Sequence, residues 1–222
     1  MVGEFEKPQY GLLVPGTMML YDLTTLSLLP NTLGAVLPLL PQTYKSFSST
    51  GRPLGCFACE FGVLNRFNVL TAYESAEALA EERARLMKTE NPYGIGAYLG
   101  GVSSTAFEPL PFARPIEPGE FGPFYEFRTY TIAPGGLPET AEAWSKIVDR
   151  RNEMSKLLMV MGSVEGGPQK MVHIWPYKTI EDRMKARAQA SKEGIWPPPG
   201  GSGKLTGLQS ELFVATAFSD LR

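Results

Sequence analysis

Apolar and polar residues alternate along the second half of the chain in an order that predicts strand, helix, strand, strand, helix, strand. The predicted strands share aromatic or β-branched residues and bounding turn residues, and they are 124–132, 159–164, 170–177 and 208–218. Apolar residues at helical spacing predict the two helices, 137–158 and 180–192.

The first half predicts the same order because the chain repeats itself at an offset of 104 residues. Residues 20–88 align with 124–192 without a gap. Identical pairs run along the whole alignment, among them Tyr21/Tyr125, Thr25/Thr129, Pro30/Pro134, Leu33/Leu137, Gly62/Gly166, Tyr73/Tyr177, Glu77/Glu181, Arg83/Arg187 and Lys88/Lys192. Such a duplication decides the fold before any single element does. The first long helix, 32–48, carries Pro38 and Pro41, which predict a kink or a start near Pro38.

The order of elements predicts an α+β fold of two fused ferredoxin-like repeats, each a split βαβ unit. The predicted domains are a degenerate repeat at 17–110, a proline-rich linker at 111–122 and a second repeat at 123–220. Four antiparallel strands with helices on one side leave the other side bare. The two bare faces of one chain can cover each other, which predicts an intrachain α+β barrel with its helices outside. Pairing with a second chain is another solution, so a homo-oligomer is an open alternative.

Charge and hydropathy exclude several classes of partner. The 222 residues carry a net charge of -2, which gives no basic surface for nucleic acid. The sequence has no run of eighteen or more apolar residues, so it predicts no membrane-spanning helix. The first residues lack the basic start and apolar stretch of a secretory signal, so a cytoplasmic location is expected.

The cysteines and the single histidine give no metal-binding pattern. Cys56 and Cys59 fall on a predicted strand, where side chains three apart point to opposite faces, so packing roles are favoured over a functional pair. Zinc needs further ligands that the sequence does not space suitably. No phosphate-binding glycine loop or serine elbow occurs either. We therefore expect neither a metal nor a cofactor.

The second repeat resembles the NIPSNAP family. The residues that carry the resemblance span most of 124–196: the strand from Tyr125 to Thr131 with Pro134 and Gly135, then Trp144, the strand from Met171 to Tyr177, Asp182, Arg183, Arg187 and Trp196. The first repeat looks like a degenerate member, with Thr24, Val69 and Thr71 where the second has Arg128, His173 and Trp175. The resemblance implies a dimeric α/β barrel fold. It implies no particular reaction, because the family as a whole has no settled activity.

Alternation sorts the strands of the second repeat into faces. The apolar set suits the helix-covered core, so we expect the charged set to face the barrel interior, where it would line one cavity. That set is Glu126, Arg128, Tyr130, His173, Trp175 and Tyr177. His173 is the candidate for proton transfer because its ordinary pKa is near neutrality, and the other five are candidate substrate contacts. A structural role for the histidine, and a simple Glu126–Arg128 pair, stay open.

Two residues outside this set have competing interpretations. Arg187 of the short helix is matched by Arg83, which favours a structural salt bridge repeated by the duplication. Trp196 opens a loop rich in proline and glycine, and a cap on the core is favoured over a lid.

Two functions follow from these patterns, and the sequence leaves both open. The first is a cofactor-independent enzyme acting on a small apolar or aromatic substrate inside the barrel. The second is a non-catalytic module that binds a small molecule, haem included, or another protein. An open interior would favour the enzyme, and a packed interior the module.

Overall fold

The computed structural model describes residues 19–165, 167–201 and 203–222 of the chain. Its strands, in chain order, are β1 (Leu20–Leu28), β2 (Arg52–Phe61), β3 (Arg66–Tyr73), β4 (Leu99–Pro109), β5 (Phe124–Ile132), β6 (Met159–Ser163), β7 (Lys170–Tyr177) and β8 (Leu205–Ala215). Its α-helices are α1 (Leu33–Val36), α2 (Leu40–Thr43), α3 (Ala76–Met87), α4 (Leu137–Ser145), α5 (Val148–Met154) and α6 (Ile180–Lys192).

The eight strands close into one barrel in which every neighbouring pair is antiparallel. Their order around it is β1-β3-β2-β8-β5-β7-β6-β4. Each repeat contributes four consecutive strands, and two seams join the repeats. Phe57 of β2 pairs with Ala215 of β8 at one seam, and Phe107 of β4 pairs with Ser163 of β6 at the other. The predicted α+β barrel of two ferredoxin-like repeats is therefore confirmed.

Apolar side chains from all eight strands fill the barrel interior. They form one buried cluster that includes Tyr21, Leu54, Phe57, Leu70, Phe107, Tyr125, Phe127, Met159, Met161, Val172, Ile174 and Phe213. Some polar groups enter the interior as well: Arg66 pairs with Glu211, and the Thr25 hydroxyl donates to Asn68 at 3.0 Å. The expectation that the charged face of the second repeat points inward is therefore wrong, because the interior is where the two repeats bury apolar surface against each other.

Helices and loops cover the outer faces of both sheets. In the first repeat this layer contains Val36, Leu40, Cys56 and Val69. In the second repeat it contains, among others, Trp144 of α4 and Ala186 of α6.

Cys56 belongs to the outer layer of the first repeat, whereas Cys59 packs against the interior cluster. The two thiols thus lie on opposite faces of β2, as predicted, and both are free.

Several element bounds agree with the sequence-based prediction, and one helix does not. The strands at 124–132 and 170–177 and the helix at 180–192 have the predicted bounds. The helix predicted at 137–158 is broken between α4 and α5, where Ile147 leaves helical geometry at φ -125°. In the first repeat Pro38 separates α1 from α2 and Pro41 lies in the first turn of α2, so the prolines interrupt the helix as expected.

The segment between the repeats, 111–122, covers one end of the barrel. Ile116 is buried in the interior cluster beside Leu221, and the Gly119 amide donates to the Asp220 carbonyl at 2.9 Å. The segment is therefore packed against the chain terminus. The predicted domain bounds stay a prediction, and residues 17 and 18 lie outside the described residues.

The interior contact between the repeats has a direct test. Phe57 is fully buried, and its ring centroid lies 4.7 Å from that of Tyr125 and 5.3 Å from that of Phe127, both of the other repeat. Replacing Phe57 by alanine should lower the free energy of unfolding by about 3–5 kcal/mol, because it leaves a cavity between the repeats. Phe61, exposed on the same strand, is the control. Equal losses for the two variants in urea unfolding would contradict the packed interior.

Candidate functional site

The six predicted site residues share one face of the second sheet, and that face looks toward the helices. Glu126, Arg128 and Tyr130 alternate along β5, and their neighbours on β7 include His173, directly opposite Arg128. Tyr130, Trp175 and Tyr177 pack in the outer layer with Trp144 and Ala186 of the covering helices. The prediction that these six share a face is confirmed, but the face is the outer one.

Glu126 is the centre of an ionic cluster on this face. Its Oε1 atom accepts hydrogen bonds from Arg183 of α6 at 2.7 Å and from the Ser210 hydroxyl of β8 at 2.6 Å. Arg128 and Arg187 approach the same oxygen at 3.4 and 3.7 Å. Glu126 is almost completely buried, and among the described residues its Oε2 atom has no hydrogen-bond partner.

Arginine outnumbers glutamate in this cluster. Arg151 of α5 is also buried, with its guanidinium 4.3 Å from the Trp175 ring centroid and one nitrogen donating to Ser155 at 2.6 Å. Within the described residues no carboxylate lies within 4.0 Å of it. Burial lowers the pKa of Arg151, because desolvation disfavours its charged form. Arg128, Arg183 and Arg187 share the Glu126 carboxylate, and Arg151 adds a fourth guanidinium to the cluster, which leaves an excess of positive charge.

His173 lies at the bottom of the site inside a cluster of aromatic rings. Its ring centroid is 4.7 Å from those of Tyr130 and Trp144, 5.9 Å from that of Trp175 and 6.0 Å from that of Trp196. Trp196 also packs edge-on against Trp144 at 4.7 Å, which agrees with the predicted cap on the core.

Hydrogen bonding defines the state of the histidine. The indole nitrogen of Trp175 donates to His173 Nδ1 at 2.5 Å, so the neutral imidazole carries its hydrogen on Nε2. The pKa of His173 lies well below its ordinary 6.5, because the ring is fully buried and because Arg128 and Arg151 oppose a further positive charge. His173 is thus a neutral group with Nε2–H as a donor. Its catalytic role stays a prediction.

Three buried donor groups on this face have no hydrogen-bond partner among the described residues. They are Arg128 Nε, Arg151 Nε and His173 Nε2, whereas Tyr177 Oη lies close to Ser155 and Arg151. Buried donors normally find an acceptor, so an unpaired set on one face calls for an explanation.

Sequence reasoning missed Arg151 as part of this set. The residue is one helical turn from Ile147 and Met154, on the apolar side of the segment, and this spacing is the signal that could have identified it.

The duplication repeats part of this arrangement in the first repeat. Arg83 donates to Asp22 at 2.8 Å, and the Ser104 hydroxyl donates to the same carboxylate at 3.1 Å. Asp22 and Arg83 align with Glu126 and Arg187, so the predicted repeated salt bridge is confirmed.

Comparison with known proteins matches both repeats to one family. A family model described as NIPSNAP matches residues 21–92 and 125–220. The chain belongs to the NIPSNAP family. The resemblance seen in the second repeat therefore extends to the first, degenerate one.

NIPSNAP proteins of several eukaryotes are similar to this chain. "Protein NipSnap homolog" of Dictyostelium discoideum is 28% identical over 180 residues, which cover 79% of this chain and 77% of that protein. "Protein NipSnap homolog 3A" of Homo sapiens is 33% identical over 76 residues, 34% of this chain and 31% of that protein. The chain thus matches less than a third of the length of the human relative.

Solved structures share the fold of this NIPSNAP protein at low sequence identity. An anthrone oxidase-like protein superposes with a TM-score of 0.64 and 12% identity, covering 90% of this chain and 92% of that one. A putative monooxygenase from Lactobacillus acidophilus superposes with a TM-score of 0.63 and 9% identity, covering 89% of this chain and 94% of that one. A mutant chlorite dismutase from Candidatus Nitrospira defluvii superposes with a TM-score of 0.57 and 9% identity, covering 91% of this chain and 92% of that one. At these identities the likeness establishes the fold alone.

The NIPSNAP site does not fit haem bound through His173. The imidazole is the natural iron ligand, but its Nε2 atom is buried among four aromatic rings. This arrangement leaves no porphyrin-sized space against that nitrogen. In the described ranges no three metal-ligating side chains cluster around a common point, and no helix has the length and apolar character of a membrane span.

The buried histidine predicts a pH-dependent stability. Because the folded pKa of His173 is depressed, the unfolded chain takes up a proton below about pH 6.5 that the folded protein does not. The free energy of unfolding should then fall by up to about 1.4 kcal/mol per pH unit from pH 6.5 toward 5. His173 is the only histidine, and carboxyl groups titrate lower, so this window belongs to it.

Urea unfolding at pH 7.5, 6.5, 5.5 and 5.0 measures this effect. The His173→Asn variant keeps an acceptor for the Trp175 indole but does not titrate, so its stability should be nearly constant over the window. A wild-type curve as flat as that of the variant would show that His173 gains its proton in the folded state.

Proposed function

We propose that the second repeat binds a small aromatic or apolar molecule carrying a carboxylate, on the helix-facing side of its sheet. The observation that carries this proposal is the excess of arginine around Glu126, together with the three unpaired buried donors Arg128 Nε, Arg151 Nε and His173 Nε2. A ligand carboxylate supplies the acceptors and the negative charge that such a site lacks, and arginine recognises it in bidentate geometry.

The graded exposure of the arginines supports a route of entry. The Arg128, Arg183 and Arg187 side chains are 13%, 26% and 36% exposed, so they form a rim that solvent reaches. Arg151 and His173 lie deeper, beneath the aromatic rings. A carboxylate would meet the rim first, and an attached ring would replace contacts among the aromatic side chains. In this proposal the ligand lies outside the barrel, because apolar side chains occupy the interior.

A catalytic role for the same site is the second candidate, and the state of His173 favours one form of it. With Nδ1 accepting from Trp175, the histidine offers a neutral N–H donor beside Arg128. Such a pair would stabilise negative charge developing on a substrate oxygen, as an oxyanion site does. The related folds named anthrone oxidase-like protein and putative monooxygenase are compatible with this candidate by fold only.

Tryptophan fluorescence tests the binding proposal directly. All three tryptophans of the chain, Trp144, Trp175 and Trp196, lie in the aromatic cluster of this site. Titration with 4-nitrobenzoate, a quenching aromatic carboxylate, should give saturable quenching. The uncharged 4-nitrobenzyl alcohol should quench at least about tenfold more weakly, since it lacks the charge that the arginines bind.

A matched pair of variants tests the arginine contribution. Arg128→Met should raise the dissociation constant of 4-nitrobenzoate about tenfold, the loss of one charge-assisted hydrogen bond. Arg150→Met removes an exposed arginine that pairs with Glu193 on the helix surface, and it should leave the affinity unchanged. Equal quenching by the two probes, or equal effects of the two substitutions, would refute an anion site.

A further inference from the structure

The first repeat holds an open cavity on the side of its sheet that corresponds to the proposed site of the second. The cavity has a volume of about 340 Å³ and lies between β1, β3 and β4 below and α3 above. This volume is within the range of pockets that hold small organic molecules.

Differences between the repeats explain why this cavity is open. Thr71 of the first repeat aligns with Trp175 of the second, and both occupy the helix-facing side of their sheets. Leu79 of the cavity wall aligns with Arg183. Where the second repeat places an indole, the first places a small hydroxyl side chain, and the space between sheet and helix is left unfilled.

Most polar groups of the cavity are already paired. Asp22 accepts from Arg83, Ser104 and Thr24, the last at 2.6 Å. Glu82 pairs with Arg85 and accepts from Ser49, whose amide lies at 2.7 Å. These groups therefore fix the floor and wall of the cavity and leave little capacity for a charged ligand.

Thr71 differs from these groups because its hydroxyl is unengaged. The residue is only 6% exposed and lines the cavity, and among the described residues its hydroxyl has no hydrogen bond of the kind that engages the Thr24 and Ser104 hydroxyls with Asp22. A buried hydroxyl facing a cavity can both donate to and accept from a ligand.

The rest of the lining selects for an apolar and uncharged body. Phe47, Leu79, Leu86 and Val102 form the apolar wall. The two carboxylates of the lining, Asp22 and Glu82, are each paired with an arginine, so the cavity lacks the excess positive charge of the second repeat and offers no unpaired cation to an anion.

We propose that the first repeat has its own binding site, in which an uncharged, largely apolar molecule occupies this cavity and hydrogen-bonds to the Thr71 hydroxyl. The two repeats then bind ligands of different charge on equivalent faces of one barrel. This site is independent of the anion site proposed for the second repeat.

A tryptophan introduced at the cavity mouth reports on this site. Met87 lines the mouth and is 84% exposed, so Met87→Trp should fold normally. We expect 4-nitrobenzyl alcohol to quench this variant saturably and more strongly than the wild type. Met184→Trp, at a 62% exposed methionine of α6, is the matched control and should show no added quenching.

Charge selectivity and the Thr71 contact complete the test. In the Met87→Trp background, 4-nitrobenzoate should quench the added signal only at concentrations about tenfold higher. Adding Thr71→Val, which keeps the side-chain shape, should raise the dissociation constant of the alcohol about fivefold through the lost hydrogen bond. Any of three results would overturn the proposal: no saturable added quenching, an equal response to both probes, or an unchanged dissociation constant of the alcohol in the Thr71→Val variant. If 4-nitrobenzoate does not quench the wild-type protein but the Met87→Trp results are as expected, only the second-repeat site is refuted.

Discussion

The inner faces of the two sheets bury each other, and the rest of the structure depends on this contact. Phe57 of the first repeat packs against Tyr125 and Phe127 of the second, and the seams β2–β8 and β4–β6 leave no open sheet edge between the repeats. Closure removes the strand edges that would otherwise pair with other chains. It also fills most of the interior with apolar side chains, which leaves less room for polar groups there than on the outer faces.

The outer faces offer a different environment, because short helices cover a sheet less completely than a second sheet does. In the second repeat the cover includes the ring of Trp144 and the buried guanidinium of Arg151, and the sheet below carries an ionic cluster around Glu126. In the first repeat Phe47 lines an open cavity, with Thr71 on the sheet below. The same backbone thus presents one crowded, basic surface and one open, nearly neutral surface.

Sequence patterns predicted the repeat, the barrel and the bounds of several elements, because these depend on local periodicity and on a constant offset. They assigned the wrong face of the second sheet to the barrel interior. Alternation separates Tyr125 and Phe127 from Glu126 and Arg128, but both faces of this sheet are covered, and period two alone does not tell one cover from the other. Charge was assigned to the interior on the assumption that helices would demand an apolar partner. The structure instead pairs Glu126 with Arg183 of the covering helix itself.

The sequence patterns also did not predict the break between α4 and α5 or the burial of Arg151 in the site. Neither proline nor glycine marks the break at Ile147, so tertiary packing decides it. The first-repeat cavity was missed because a void has no residue pattern of its own. The cavity becomes apparent only when Thr71 is compared with Trp175, the larger residue at the equivalent position of the second repeat. The residues of the second-repeat face were found because aromatic and charged side chains alternate there visibly.

Covalent joining of the two repeats has an evolutionary consequence. In a symmetric pair of identical subunits, every substitution occurs twice, so a pocket cannot be emptied on one side and filled on the other. Fusion into one polypeptide lifts that restriction while the shared hydrophobic centre is kept. Thr71 and Trp175, which stand at equivalent positions of the two repeats, use this freedom: one chain carries two different surfaces on equivalent faces.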